Sequence, residues 1–294
     1  MSTSLTVQTV RYLNPLPELA TSVQSVGGAL LQARRSGWDG DVVLAHGDAS
    51  PSPLGSADLD VLKRLGDQYG FDYSYTYFNE NTGSARGQNL LAQDHAATWQ
   101  LVTNPDVVFG GSALRELWQR TSDATIGIVE ARQLPLELPK YYNPVTGDTS
   151  WACGMGSLVR GELWRQIGGY DEESFFLYCD DVDMSWRARL AGYRVVHVPT
   201  ARIFHDKRLG SKYVVDVPDH ETYYSALASY LMARKWGEEA DVAEVHRRIV
   251  GAEFDSVRLE IARLEASGHV PEKITGASTV AQIADDGTFG SSRF

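Results

Sequence analysis

Residues 151–206 read WACGMGSLVRGELWRQIGGYDEESFFLYCDDVDMSWRARLAGYRVVHVPTARIFHD. Asp180, Asp181 and Asp183 fall within four residues, directly after Phe175, Phe176, Leu177 and Tyr178. Carboxylates this dense beside an aromatic run are costly to bury unless they meet a metal, a cation or a proton. A small-residue turn precedes them, where Gly154 and Gly156 let backbone approach a ligand or a neighbouring strand closely. An apolar strand ending in His205 follows. The stretch reads as one half of a site whose other half lies earlier in the chain.

The rest of the chain supplies that half. Residues 5–12 are short and β-branched, bounded by Asn14-Pro15, and predict a first strand. Residues 17–35 carry Leu19, Val23, Val26, Leu30 and Leu31 at helical spacing. Strands are expected at 41–46, 71–78 and 99–102, with helices at 58–69 and after the glycine-containing loop 79–93. This alternation predicts a mostly parallel sheet of βαβ units flanked by helices, and such sheets bind ligands beyond the carboxyl ends of their strands. Asp48, Arg86 and Asp106 fall at that edge. Further on, a helix is expected over 111–121, a strand over 125–131, a helix over 182–191 and a strand over 201–205. Helices at 219–236 and 241–266 read as a C-terminal extension that covers the sheet or forms a homodimer contact. Residues 269–294 are small and polar, the composition of a flexible tail. The Pro- and Tyr-rich stretch 133–150 is long for a loop inside a domain, and reads equally as a functional segment or a solvated connector.

At 294 residues with 43% hydrophobic and 22% charged residues, the chain has the composition of an ordinary globular protein. Its formal net charge of -11 argues against general binding of nucleic acid or anionic membrane. An anionic substrate therefore needs a local cation or a bridging metal. The two cysteines, Cys153 and Cys179, form no disulfide framework and read as buried free thiols, consistent with a cytoplasmic setting. No signal-peptide layout and no apolar run of membrane-spanning length occurs. Peripheral contact with a membrane-borne substrate stays open.

Individual motifs carry two readings each. Asn104-Pro105-Asp106 follows a buried strand and is good turn chemistry; a carboxylate there also suits a divalent cation bridging a diphosphate. Asp183 stands four residues before Arg187, the spacing of a helical ion pair. Asp180 and Asp181, adjacent in an apolar frame, should push their pKa values apart and leave one as a usable general base. His205 is a strand-end residue or, given company, a metal ligand. Arg86 is a helix-start residue or a cation in a nucleotide pocket.

Taken together, the motifs resemble the inverting family 2 glycosyltransferases of GT-A fold, particularly the bacterial rhamnosyltransferase-like branch. The resemblance rests on Tyr12-Leu13-Asn14 with Pro17-Glu18-Leu19, Asp48-Ala49-Ser50, the loop from Thr82-Gly83 to Asn89, Asn104-Pro105-Asp106-Val107, and the segment from Gly154 to His205. It covers about residues 5–206.

It implies a GT-A catalytic domain over 1–215, with a nucleotide-sugar half (1–110) and an acceptor half (111–215). A helical extension at 216–268 and the tail follow. It also implies that Asp48 recognises the nucleotide base with Tyr12 and Arg86 nearby. Asp106 would hold Mg²⁺ or Mn²⁺ on the donor diphosphate, helped by Asn104 and His205. Asp181 would be the general base, with Asp180 orienting it. The expected partners are a nucleotide-sugar donor, dTDP-rhamnose or a similar deoxysugar first and a UDP-hexose second, and a carbohydrate or glycolipid acceptor. Three departures stand out: Asn104 replaces the first metal-motif carboxylate, Cys179-Asp180-Asp181 replaces Gly-Glu-Asp, and Arg11 replaces a threonine in the base pocket. Asn104 keeps a second class of reading open, a catalytically silent fold-mate acting as a binding or assembly subunit.

Overall fold

The computed structural model describes residues 4–205, 219–284 and 289–291. Asp206 and the boundary expected near 215 lie outside them. In the first half, β1 (Leu5–Arg11), β2 (Val42–Asp48), β3 (Asp72–Tyr77) and β4 (Trp99–Thr103) pair in parallel in the order β3-β2-β1-β4. α1 (Leu16–Arg35), α2 (Ser56–Tyr69) and α3 (Gly83–Asp94) are the crossovers. α1 opens on Pro15, with Glu18 in its first turn, and closes with Arg34 and Arg35 in its last, matching the helix dipole at both ends. Its buried stripe of Leu19, Val23, Val26, Leu30 and Ala33 packs on the sheet, each large aliphatic contributing roughly 1.5–3 kcal/mol. At Gly27 an added Cβ would lie 2.3 Å from the Tyr69 ring, so the closeness of α1 to α2 depends on that glycine.

The second half completes an eight-stranded sheet among the described residues, in the order β3-β2-β1-β4-β7-β6-β8-β5. β7 (Ser157–Arg160) is antiparallel to both β4 and β6 (Ile126–Leu134). β8 (Arg194–Phe204) runs parallel to β6, and the two-residue β5 (Val108–Phe109) pairs antiparallel with the end of β8. The α/β class and mostly parallel sheet thus stand, with the antiparallel pairs confined to this half. α4 (Ala113–Trp118), α5 (Gly161–Ile167) and α6 (Asp180–Leu190) flank it.

Several boundaries differ from expectation for local reasons. β8 begins at Arg194 rather than 201, because residues 194–200 continue alongside β6 across an irregular register. The single helix expected at 241–266 is two, α8 (Glu239–Gly251) and α9 (Asp255–Ser267), broken at Glu253 with φ 57°. With α7 (Asp219–Trp236) they enclose a second core around Trp186, Tyr230, Trp236, Ile249 and Ile261. Of the expected flexible tail, residues 269–284 and 289–291 pack against this core. Ala277 and Val280 are buried and Phe289 meets the Trp186 ring edge-on. No helix among the described residues is long and apolar enough to cross a membrane.

Asp183 ties α6 to α7. It is fully buried and accepts from Arg187 Nε at 2.7 Å and Trp236 Nε1 at 2.9 Å, while Lys235 Nζ lies 2.6 Å away. The expected pair with Arg187 is present, but the stronger role joins α6 to α7. Removing one member of a buried charge cluster leaves the others unpaired, at a cost of about 3–5 kcal/mol. Asp183→Ala should therefore lower the denaturation free energy by about 3 kcal/mol, read by urea unfolding. Glu260→Ala, in a surface pair with Arg263, should change it little.

Candidate functional site

Carboxyl ends of the parallel strands present the first group. Asp48 ends β2 and is fully buried. Its Oδ2 accepts from Arg11 Nη1 at 2.5 Å and from the Tyr75 hydroxyl at 2.6 Å, and its Oδ1 from the Ser50 amide at 3.0 Å. Burial alone would push this carboxyl up; the Ser50 and Tyr75 hydrogen bonds and Arg11 outweigh it and hold Asp48 below the usual carboxylate range. Asp48, expected to meet a base directly, is thus occupied by Arg11 from the neighbouring strand. Tyr12 stands beside it, about half exposed at 48%. Arg86 turns to Glu80 at 2.9 Å and Glu172 at 4.0 Å on an exposed face.

The second group forms where three strand ends converge. Asn104 and Asp106 lie in the turn between β4 and β5, and His205 directly follows β8. The His205 amide donates to Leu134 O at the end of β6. His205 Nε2 lies 3.2 Å from Asp106 Oδ2, and its Nδ1 3.3 Å from the Gln133 amide nitrogen. The pairing expected from sequence order is therefore formed, across 99 residues of chain. Asn104 offers its backbone carbonyl to the Val107 amide, as a turn residue does. Among the described residues no set of three His, Cys, Asp or Glu side chains converges. One carboxylate oxygen and one imidazole nitrogen suit a cation that completes its shell with phosphate oxygens and water, as Mg²⁺ and Mn²⁺ do. Asp106 and His205 fit that group.

The third group opens α6. Tyr178 and Cys179 both take left-handed backbone, φ 68° and 58°, a conformation costing of order 1 kcal/mol or more in residues other than glycine. That kink aims the first helical turn inward. Asp180 is buried, while Asp181 is reachable from solvent. Asp181 Oδ2 accepts from the Gly154 amide at 2.9 Å and Oδ1 from the Val182 amide at 2.8 Å. Burial raises Asp181, while those two amides and the Lys140 charge oppose the rise. Asp180 is pushed up to about 7, by burial first and then by Asp181, against a hydrogen bond from Ser84. Both carboxyls are therefore raised, Asp180 to about 7, and Asp181 is the more solvent-accessible of the two.

Sequence reading missed the groups that hold these three in place. Asn89 on α3 is bonded both ways to Tyr170, Nδ2 to its carbonyl and Oδ1 from its amide, each at 2.9 Å. Ser84, one residue past the helix start, donates its amide to the Phe176 carbonyl at 2.9 Å, and Gly83 has no room for a Cβ, which would lie 2.2 Å from that oxygen. Both lie inside the loop motif already noted, but their partners are 81 and more residues away. Glu130, Lys140 and His197 form a buried cluster on β6, the loop after it and β8. A charge inside the apolar run of residues 126–131 was the available signal.

The α/β architecture is that of the GT-A glycosyltransferase fold. The chain superimposes on the mannosyltransferase PcManGT of Pyrobaculum calidifontis, solved with GDP-Man and Mn²⁺. There the TM-score is 0.56 at 13% identity, over 95% of this chain and 78% of that one. It likewise matches Staphylococcus aureus TarS residues 1–349, with TM-score 0.57 at 10% identity, over 83% and 69% of the two chains.

Sequence comparison narrows the likeness to the rhamnosyltransferase-like branch. The chain is 33% identical over 105 residues to the N-acetylglucosaminyl-diphospho-decaprenol L-rhamnosyltransferase of Mycobacterium tuberculosis, and 36% identical over 55 residues to rhamnosyltransferase WbbL of Escherichia coli. These stretches are 35% and 19% of this chain, and only 31% and 20% of the relatives' own lengths. No family profile matches the chain.

The Asp180 environment makes a pH-dependent prediction. A carboxyl whose folded pKa is raised destabilises the fold above its unfolded pKa, because the folded state binds the proton more tightly. The penalty is absent below pH ~4 and full above pH ~7. Asp180→Asn should therefore leave the melting temperature about unchanged at pH 3.5 and raise it at pH 8, by thermal unfolding at both.

Proposed function

We propose that this protein is an inverting, metal-assisted glycosyltransferase moving a deoxysugar from a nucleotide donor, dTDP-rhamnose or a close analogue, to a hydroxyl of a glycan or glycolipid. The observation that carries this reading is the Asp180–Asp181 pair, both carboxyls raised and one of them solvent-accessible, together with the Asp106–His205 pair. Gln133 on β6 bonds His205, and Lys140 seven residues later acts on Asp181, so one segment touches both groups. The rhamnosyltransferase relatives support the donor class, and the GT-A fold supports a nucleotide sugar.

In this mechanism Asp181 accepts the proton of the acceptor hydroxyl as its oxygen attacks the anomeric carbon from the face opposite the leaving nucleoside diphosphate. The amides of Gly154 and Val182 orient Asp181 and favour its ionised form against the effect of burial. Asp180, holding its own proton near neutrality, limits the pair to one negative charge. Asp106 and His205 would hold Mg²⁺ or Mn²⁺, which when bound neutralises charge developing on the departing diphosphate. Residues 1–110 serve the donor and residues 111–215 the acceptor.

Asp181→Asn should abolish transfer, by 10³-fold or more, while donor binding stays within about twofold by calorimetry. Asp106→Ala should instead remove the Mn²⁺-dependent part of the thermal shift that a nucleotide sugar produces. Screening dTDP-, UDP- and GDP-sugars by the same shift identifies the base. A uniform absence of shift at saturating donor would overturn the transferase reading in favour of a silent binding subunit.

A further inference from the structure

The Pro- and Tyr-rich segment between β6 and β7 delivers a cation into the protein. Lys140 is 7% exposed. Its Nζ lies 2.7 Å from Glu130 Oε1, donates to the Trp151 carbonyl at 2.5 Å, and stands 4.0 Å from the Trp151 ring centre. The same Glu130 Oε1 accepts from the Cys153 amide at 2.7 Å, and Oε2 lies 2.8 Å from His197 Nδ1. Burial pushes Glu130 up; the Lys140 charge and the His197 bond overcome it, holding it at about 2. Glu130 is therefore an anion and His197 Nδ1 the donor. One opposite-charge pair thus grips two nearby backbone groups, the carbonyl of Trp151 and the amide of Cys153. The next amide, Gly154 N–H, is the one bonded to Asp181.

We propose that Lys140, acting with Glu130, is a positioning residue that fixes residues 151–154 so that the Gly154 amide aims Asp181 at the acceptor hydroxyl. The role in transfer rests on the glycosyltransferase reading; the clamp itself does not. A merely structural ion pair would stabilise the fold without bearing on one carboxylate. Here the cation both fixes the amide that Asp181 accepts from and acts on its charge across the same short span. The groups facing Asp181 are Asp180 on its own helix, Cys179 before it, Cys153 in the turn, Tyr170 after α5, and Lys140. Asp183 is taken up by Arg187 and Lys235. Lys140 is thus the one cation acting on it in this set.

Two variants test the proposal. Lys140→Met leaves the Glu130 carboxylate with the Cys153 amide and His197 but without its cation, so the double variant Lys140→Met/Glu130→Gln removes both charges of the pair together. The first readout is hydrogen exchange at the Cys153 and Gly154 amides by mass spectrometry of the full chain, which needs no substrate. Both variants should accelerate exchange there at least tenfold while β1 and β2 amides stay unchanged. Unchanged exchange in both variants would overturn the clamp whatever the protein's activity. The second readout is the pH profile of transfer with the donor that the thermal-shift screen selects. Both variants should lower kcat about tenfold or more, leave donor KM within twofold, and move the acid limb to higher pH, because Asp181 loses the cation that favours its ionised form. Faster exchange with wild-type kcat and an unmoved acid limb would overturn the positioning role. Faster exchange in the variants of a chain that transfers no sugar would overturn the transferase reading and the positioning role with it, while leaving the clamp.

Discussion

A carboxylate withdrawn from water must find a cation, a set of donors or a proton, and this molecule answers that constraint in three ways. Asp48 has Arg11, two hydroxyls and an amide. Glu130 has Lys140, and Asp183 has Lys235 and Arg187. Asp180 and Asp181 have each other, backbone amides and only an indirect cation. The first three are structural because their charge is answered in place. The last two have raised pKa values, and that difference, rather than acidity as such, is what makes them the candidates for chemistry.

The two halves of the sheet are coupled through α3. Its first turn meets the Phe176 carbonyl and the Asp180 side chain, and Asn89, two turns on, grips Tyr170. A helix belonging by sequence to the first half thereby sets the position of a loop in the second. This explains why Gly83 has no side chain and why the run from Phe175 to Tyr178 can carry left-handed residues at Tyr178 and Cys179. The strain is held by contacts from another part of the sheet.

The fold was legible wherever one face of an element is buried along its length. α1 shows its stripe, β1, β2 and β4 their β-branched or apolar runs and β3 its alternation of aromatic and polar residues, so the parallel half could be read directly. β5 and β7 could not. They are two and four residues long, and their partners are fixed by tertiary pairing. The break at Glu253 escaped because apolar spacing continues through it from Ile249 to Val257. At the site, Asp106 and His205 were readable from order along the chain, since both end elements at one sheet edge. The contact between Arg11 and Asp48 was not readable as such: the substitution at Arg11 was visible, but its direction, toward the carboxylate, depends on strand register. Lys140 carried no local signal at all. A lysine in a Pro-rich loop is ordinarily solvated, and only the fold shows it turned inward.

The packing of residues 277–291 also bears on how the molecule comes to be assembled. Tyr141 donates its amide to the Ser291 carbonyl, Trp151 its indole N–H to Phe289, and Arg189 a guanidinium N–H to Val280. The segment bearing Lys140 is thus laced to residues some 150 positions further along the chain. β1 to β4 pair with near neighbours, whereas this segment rests on contacts of long sequence separation, which carry the larger loop-closure cost in folding.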